Sequence, residues 1–553
     1  MKKISVSIMA LCMLFCAVGC GDGGGGGGGG NQSWEEAKQT ATKLTIYLDE
    51  SNIYGSYIRG NDEAYVKDCI EKKFYEDTGN AVNIEIMYET HDTFGNKFGG
   101  VMSTGGWDAA VSYLGQAGLE ETVLEQGVAL DVSDLLFDYG EHIMEAVDQQ
   151  ARYATTTLTN EMIGIPSVNN TKMKTILIRK DYMTQVGYTE DKAEAEASGG
   201  TLKYCQTIVD FDTMLRKMKA EIPGCDMPLI GNAYDIEFTI LAGACGTAGY
   251  QYRSVNYNED GSVKEVVPGW ISEGYQEVLN YEYAWQKDGI WESDNTVKTD
   301  EQRISDFTNG KAAVYCVDPN VQNLINVARQ VKSTDVGKNA EFTVLAPLDA
   351  VDEQGNAIEG SGAYVEVSRT TDCLIFNRRR AATAELVVKY LDWMYSSVEN
   401  YELCMYGVEG EHWVKSRDGF YTYPAGKENQ FLTRPPYSGA FALLHNDELS
   451  YRLYDNYTEQ ELEWLEMAQN SKTIKNPTDG MLFYNMTAVI ANNFRLAEAN
   501  IYQDCATKAW NGTADPAITF PQQEAAYRLQ AADYIQWLTQ QYNLYIAQRN
   551  SNS

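Results

Sequence analysis

The chain is short of histidine. Its four in 553 residues, His91, His142, His412 and His445, fall in no HExxH or other metal-ligand spacing, which excludes a zinc-peptidase type of site. Basic charge is scarce as well: 44 Lys and Arg stand against 78 Asp and Glu, a net −34. That imbalance argues against binding nucleic acid or an anionic lipid surface through a basic face. No two cysteines are spaced CxxC, which removes the common zinc frameworks. A GxxxxGK[ST] phosphate loop is missing, and Ser361, in Gly360-Ser361-Gly362, lacks the GxSxG elbow of a serine hydrolase. Beyond the first fifteen residues no run is long and apolar enough to cross a membrane.

What is present starts at the N-terminus. Lys2 and Lys3 precede an apolar run from Ile4 to Phe15, and the segment closes on Ala17-Val18-Gly19-Cys20. This is the layout of a secretory signal: a basic start, a short apolar core, then small residues at a cleavage site. The core is too short for a membrane-spanning helix. A cysteine directly after small residues is similar to the bacterial lipobox, although Ala17 stands where a leucine is usual. That likeness implies removal of residues 1–19 and lipidation of Cys20. Asp22 and eight glycines, Gly23 to Gly30, follow and behave as a flexible coil. Residues 20–42 thus read as anchor and tether. The body is expected on the outer face of the bacterial cytoplasmic membrane, touching it through the lipid alone. An ordinary secreted protein with a glycine-rich start is the alternative.

The body has 37 Tyr and 10 Trp, too aromatic for a disordered chain. Its length alone suggests three or four domains of about 150 residues. Eight cysteines follow Cys20 at wide, irregular gaps, several within apolar runs such as 313–317. Buried free thiols are the expected state for most of them.

Local pattern alternates strand and helix. Lys43–Leu48 is β-rich, and a polar loop follows from Asp49 to Asn52. Glu63–Tyr75 has helical spacing, with Val66, Ile70 and Phe74 on one face and Tyr65 at its border. Strands are predicted at Ala81–Met87, Trp107–Tyr113, Ile163–Pro166, Met173–Arg179, Pro228–Ile230 and Ala312–Val317. Helices are predicted at Phe211–Ile222, Ser272–Asp288 and Ala384–Tyr395, with mostly helix from there to the end, broken at Asn511-Gly512 and Asp515-Pro516. This order implies an α/β class with a largely parallel sheet. Asn256-Tyr257-Asn258-Glu259-Asp260-Gly261 imitates the start of a calcium loop, but Val267 takes the twelfth position, where a bidentate acid is required. A β-hairpin turn is the better reading.

Several stretches carry a family resemblance: Ile163-Gly164-Ile165-Pro166 with Ile178-Arg179-Lys180-Asp181-Tyr182; Asp306-Phe307-Thr308-Asn309-Gly310-Lys311-Ala312-Ala313; and Tyr390-Leu391-Asp392-Trp393-Met394-Tyr395 with Tyr406-Gly407-Val408-Glu409-Gly410-Glu411-His412-Trp413. Their order along an anchored chain resembles the family 1 extracellular solute-binding proteins, lipoprotein receptors of sugar-type ABC importers. The likeness runs from about Lys43 to the end. Polar inserts such as Glu190–Gly200 depart from it. It implies two interleaved α/β lobes with a hinge and a central cleft: lobe one from 43–160 and 362–397, lobe two from 161–361 and 398–553, the latter with a helical C-terminal region. It also implies an oligosaccharide ligand, ABC permease subunits as partners, hinge closure on the ligand, a monomer, and neither cofactor nor metal.

A sugar offers hydroxyls at its rim and apolar C–H faces, so its binder needs carboxylates, amides and flat aromatics. In open α/β sheets these belong on loops after strand ends. The candidates are Asp49, Glu50 and Asn52 after the first strand, and Ser112, Tyr113 and Gln116 after the third. Ser167 and Asn169 fall at the lobe crossing. Asn232, Tyr234 and Asp235 follow one lobe-two strand, and Asp318 and Asn320 another. Against each stands helix capping or ordinary loop polarity. Trp270 and Trp291 are further stacking candidates or core, and Glu409 and Trp413 a ligand contact or a filled turn. A lipid-anchored glycoside hydrolase is the rival from another class; it needs two carboxylates about 5–10 Å apart across one bond. A surface glycan-capture protein of a different uptake system is a third reading.

Overall fold

In the computed structural model, residues 32–49, 60–112, 122–123, 126–147, 149–157, 159–168, 174–250, 252–317, 321–366, 373–417, 420–427, 435–446, 449–450, 452–453, 457–478, 481 and 487–552 are described. The β-rich start forms the strand Thr42–Asp49, buried without interruption from Leu44 to Asp49. Such continuous burial marks a central strand covered on both faces. Leu44, Ile46 and Leu48 enter one core, and Tyr47 enters the other, as a period of two requires.

The sheet orders as Val82–Glu89, Thr42–Asp49, Ala109–Ser112, Cys373–Phe376, Gly164–Pro166. Its first three strands are parallel, and Cys373–Phe376 runs against both of its neighbours. The sheet is therefore mixed, with its one reversed strand supplied from far down the chain. Helix Glu63–Thr78 buries the predicted Val66, Ile70 and Phe74 stripe and leaves Tyr65 47% exposed. It stops at Gly79, whose left-handed φ of 75° lets its N–H reach the Tyr75 carbonyl at 2.8 Å. Helix Ala381–Tyr395 packs on the same face through Leu391 and Met394. Tyr401, Cys404 and Met405, which were expected beyond a lobe boundary at 397/398, also pack in this first core, with Tyr437 and Phe441.

A second sheet orders as Phe342–Leu345, Thr175–Arg179, Val314–Val317, Leu229–Ile230. One of its faces carries Phe307, Leu324, Val331 and Trp464. The other supports a large helical core that includes Trp270, Tyr275, Trp285 and Tyr527. Helix Ile208–Glu221 begins with a reciprocal Thr207/Asp210 capping box, and Asp300–Thr308 with Thr299/Gln302. The C-terminal break falls where Asn511-Gly512 and Asp515-Pro516 predict it, between Gln503–Trp510 and Pro516–Gln530, with Asp515 as N-cap. Arg253–Tyr257 and Val263–Pro268 form an antiparallel hairpin. In its turn Asp260 accepts the Ser262 N–H at 2.9 Å and hydroxyl at 2.6 Å.

The region after Tyr395 is less helical than its pattern suggests. Val414–Arg417, Phe420–Thr422 and Arg452–Leu453 form a three-stranded sheet. Its adjacent aromatics pack in different places: Phe420 in the second lobe's core with Tyr457, and Tyr421 4.8 Å from Tyr406. All eight cysteines from Cys69 to Cys505 are free thiols, six of them buried. Among the described residues no helix is long and apolar enough to cross a membrane.

Candidate functional site

Strand register shows which ends meet. Asp49 lies opposite Glu89, and Cys373 sits between Ser112 and Pro166. These residues form one edge of the first sheet. From that edge the chain leaves at Pro166 and enters the second sheet at Thr175, a link that spans at most about 30 Å. In the second sheet Thr175 lies opposite Val317 and Ile176 opposite Leu345, and Leu229–Ile230 ends toward the same edge. A return link joins Glu366 to Cys373. The crossings therefore draw together the loop-bearing edges of both sheets, where ligands of open α/β folds bind.

The first lobe's edge is acidic and rich in hydroxyls. Asp49 and Ser112 are fully buried. Among the described residues the hydroxyls of Ser112 and Tyr47 have no hydrogen-bond partner, an uncommon state for buried polar groups. Burial, then the carboxylates of Glu89 and Asp49, push the Tyr47 hydroxyl up to about 12. The Tyr47 ring is itself held by stacking on Phe94 at 5.0 Å.

The second lobe's edge is built around the turn after Ile230. Gly231 is clasped at both ends: its N–H donates to Glu292 Oε1 at 3.1 Å, and its carbonyl accepts the Trp291 indole N–H at 2.8 Å. Arg303 fixes Glu292 in turn at 2.5 Å. Asn232 then caps helix Ala233–Ile236, its Oδ1 accepting the Asp235 N–H at 2.8 Å. Asp235, 3% exposed, pairs with Lys174 at 3.1 Å. Tyr234 is half-buried, 4.6 Å from the Phe238 ring, and burial raises its hydroxyl pKa. The half-buried Tyr250 lies 5.9 Å from the same ring.

Of the residues chosen from sequence, Asp49 and Ser112 thus stand at one edge, Asn232, Tyr234 and Asp235 at the other, and the half-buried Ser167 on the crossing. Glu50, Asn52, Tyr113, Gln116, Asn169, Asp318, Asn320 and the lipidation candidate Cys20 lie outside the described residues. Lys174 and Tyr250 were missed. Lys174 could have been flagged as a cation opening a strand in an acidic chain; Tyr250 follows a glycine in a loop and carries no pattern of its own. Trp270 and Trp291 prove to be core, with Trp270 donating to Glu498 at 2.9 Å. Trp413 fills a turn, its indole N–H on the Gly407 carbonyl at 3.0 Å. His142 serves Asp392 at 2.9 Å. Among the described residues no His, Cys, Asp and Glu cluster could hold a metal.

Comparison with known proteins places the fold. No protein-family model matches the chain, and no curated protein does. Solved structures match along almost its whole length. An N-glycan transport solute-binding protein from Streptococcus pneumoniae is 15% identical, covering 92% of this chain and 100% of that one, with a TM-score of 0.64. An extracellular solute-binding protein from Bifidobacterium longum subsp. infantis is 14% identical, covering 91% and 98%, with a TM-score of 0.61. An HMO-binding, ABC-transporter-associated solute-binding protein from Bifidobacterium longum infantis is 14% identical, covering 91% and 99%, at 0.59. The chain has the two-lobe α/β fold of these proteins.

Proposed function

We propose that the chain captures a neutral oligosaccharide outside the cell and delivers it, unaltered, to an ABC-type importer. One observation carries the reading: crossing segments draw two sheet edges together, and both edges present groups suited to a hydroxylated ring. Asp49 and Ser112 form one wall, with Asn232, Tyr234 and Asp235 on the other and Ser167 between. The seven other candidates lie outside the described residues. Support also comes from the fold's bearers, one of which, the pneumococcal N-glycan transport protein, has been solved with Man1GlcNAc and with Man5GlcNAc. The acidic composition suits a neutral ligand.

A glycan array followed by calorimetry tests this. Binding near ~1 μM, about −8 kcal/mol, suits capture with release. Steady cleavage of the bound glycan would turn the reading toward a hydrolase, and binding to peptides alone would change the substrate class. Lipidation at Cys20 belongs to the same proposal, supported by the signal-like start and the glycine tether. Labelling cells with a fatty-acid analogue should mark the protein, and Cys20→Ser should abolish the mark; a label that persists removes the anchor.

A further inference from the structure

Among the described residues, the second lobe buries a carboxyl that belongs neither to a cap nor to an ion pair. Glu237 opens a π-helical turn, Glu237–Leu241, directly after the helix that carries Tyr234. Such turns are rare overall and frequent at functional sites. The residue is fully buried. Its Oε1 accepts the Tyr250 backbone N–H at 2.6 Å, and its Oε2 accepts the Tyr275 hydroxyl at 3.0 Å.

The loop it holds fits tightly. Gly249 has φ 88°, and a Cβ there would meet the Phe238 ring at 2.7 Å and Glu237 Oε1 at 2.9 Å. Phe238, the next residue of the turn, is a hub. It lies 4.6 Å from Tyr234, 5.9 Å from Tyr250 and 5.6 Å from Tyr252. Tyr250 is backed by Tyr502, stacked at 5.2 Å. Phe238, Tyr252 and Tyr502 are buried, whereas Tyr234 and Tyr250 are half-buried. This shelf borders the lobe crossing, because the Tyr252 hydroxyl donates to the Glu366 carbonyl at 2.7 Å.

We propose that Glu237 is a positioning residue: it holds Tyr250 beside Tyr234 so that the two rings form a wall for the apolar face of a pyranose ring. The inference rests on the capture function proposed above and names a part of that site. Aromatic rings suit the C–H face of a sugar, and a wall of two needs its second ring fixed from behind. Glu237 does this through the Tyr250 backbone N–H rather than through the ring. Its surroundings favour the neutral acid. Burial raises its pKa to about 8, against the Tyr250 and Tyr275 hydrogen bonds that lower it. Glu282, itself fully buried and accepting the Trp510 indole N–H at 2.9 Å, is raised by burial and by Glu237. Tyr502, Tyr234 and Cys245 are further titratable neighbours. Burial thus works against a net charge beneath the apolar rings.

The test combines amide exchange in the free protein with affinity for short neutral oligosaccharides of mannose, glucose, galactose and N-acetylglucosamine. Glu237→Leu should deprotect the Tyr250 amide and weaken the best-binding glycan about tenfold, as should removal of the ring in Tyr250→Ala. Glu237→Gln should restore both readouts, since its amide oxygen still accepts the Tyr250 N–H. Gly249→Ala should weaken binding with the carboxyl intact, by pushing the loop off Phe238. The proposal is overturned if Glu237→Leu or Gly249→Ala binds like the parent, or if Glu237→Gln fails as badly as Glu237→Leu. Should Glu237→Leu not fold, Gly249→Ala and Glu237→Gln decide. If the parent binds no glycan, the capture reading and the wall both fall, even where Glu237 still protects the Tyr250 amide. If glycan binds but is indifferent to Tyr250→Ala, capture stands and the positioning role is refuted.

Discussion

Replacing Glu71 by glutamine should make the first lobe more stable above neutral pH and leave it almost unchanged in acid. Glu71 sits on helix Glu63–Thr78, 3% exposed, facing strand Val82–Glu89. Its Oε1 accepts the Ile84 N–H at 2.7 Å, with Lys67 at 3.6 Å. Burial raises its pKa to about 7, and the Ile84 and Lys67 contacts recover only part of that. The folded state therefore holds a proton that the unfolded chain releases near the ordinary 4.5. A raised folded pKa gives stability that is full below the unfolded value and is lost as pH rises through the folded one. Between those limits the loss is about 3 kcal/mol. Glutamine keeps the acceptor for Ile84 and cannot ionise. Urea unfolding of both proteins from about pH 5 to about pH 8 should show curves that coincide in acid and diverge by about 3 kcal/mol in base, the variant being the more stable. Parallel curves would refute the reasoning, and a variant weaker at every pH would mean that the charge, not the hydrogen bond, is what the fold uses. Glycan affinity should not change, because Glu71 lies on the helix side of the first sheet.

The elements legible in the sequence were those with a local cause. Val66, Ile70 and Phe74 recur at helical spacing, and the structure buries all three. Asn511-Gly512 and Asp515-Pro516 break the helices through turn chemistry that needs no tertiary partner. The hairpin at 253–268 was readable for the same reason: Val267 left the calcium pattern one acid short. Sheet order was not readable this way. Cys373–Phe376 reads as an apolar run of either class, and only pairing across more than two hundred residues sets it between Ala109–Ser112 and Gly164–Pro166.

The candidate site divides along the same line. Strand ends could be located, so Asp49, Ser112, Asn232, Tyr234 and Asp235 could be chosen. Their partners could not, because each is fixed by residues distant in sequence. Asn232 illustrates this: capping stands as an alternative in the sequence, and only the placed Asp235 N–H shows that the side chain is used that way. Glu237 is the sharper case. In Tyr234-Asp235-Ile236-Glu237-Phe238 an acid looks like the solvent face of a helix. Its burial follows from donors thirteen and thirty-eight residues further on, Tyr250 and Tyr275.

Three further outcomes are expected. Trp291→Phe removes the indole N–H from the Gly231 carbonyl and leaves that carbonyl buried; it should lower second-lobe stability by about 1 kcal/mol and weaken glycan binding through the Asn232–Asp235 turn, so unchanged affinity would separate the turn from the ligand. A protein beginning at residue 32 should titrate eight thiols once denatured and show the same thermal midpoint with and without reductant; a thiol count that rises on reduction would mean disulfides. Ligand should also draw the lobes together. With Asp49 and Ser112 on one sheet edge and Tyr234 and Asp235 on the other, a glycan that touches both has more affinity for the closed arrangement, and that difference alone shifts the equilibrium. Small-angle scattering should then give a smaller radius of gyration with a bound glycan than without. Tyr234→Ala should reduce both the affinity and the compaction at a fixed glycan concentration while the unliganded thermal midpoint holds, since the ring is half-buried. A variant that closes like the parent would show that the second wall lies elsewhere on that edge, and one that melts early would make Tyr234 a core tyrosine.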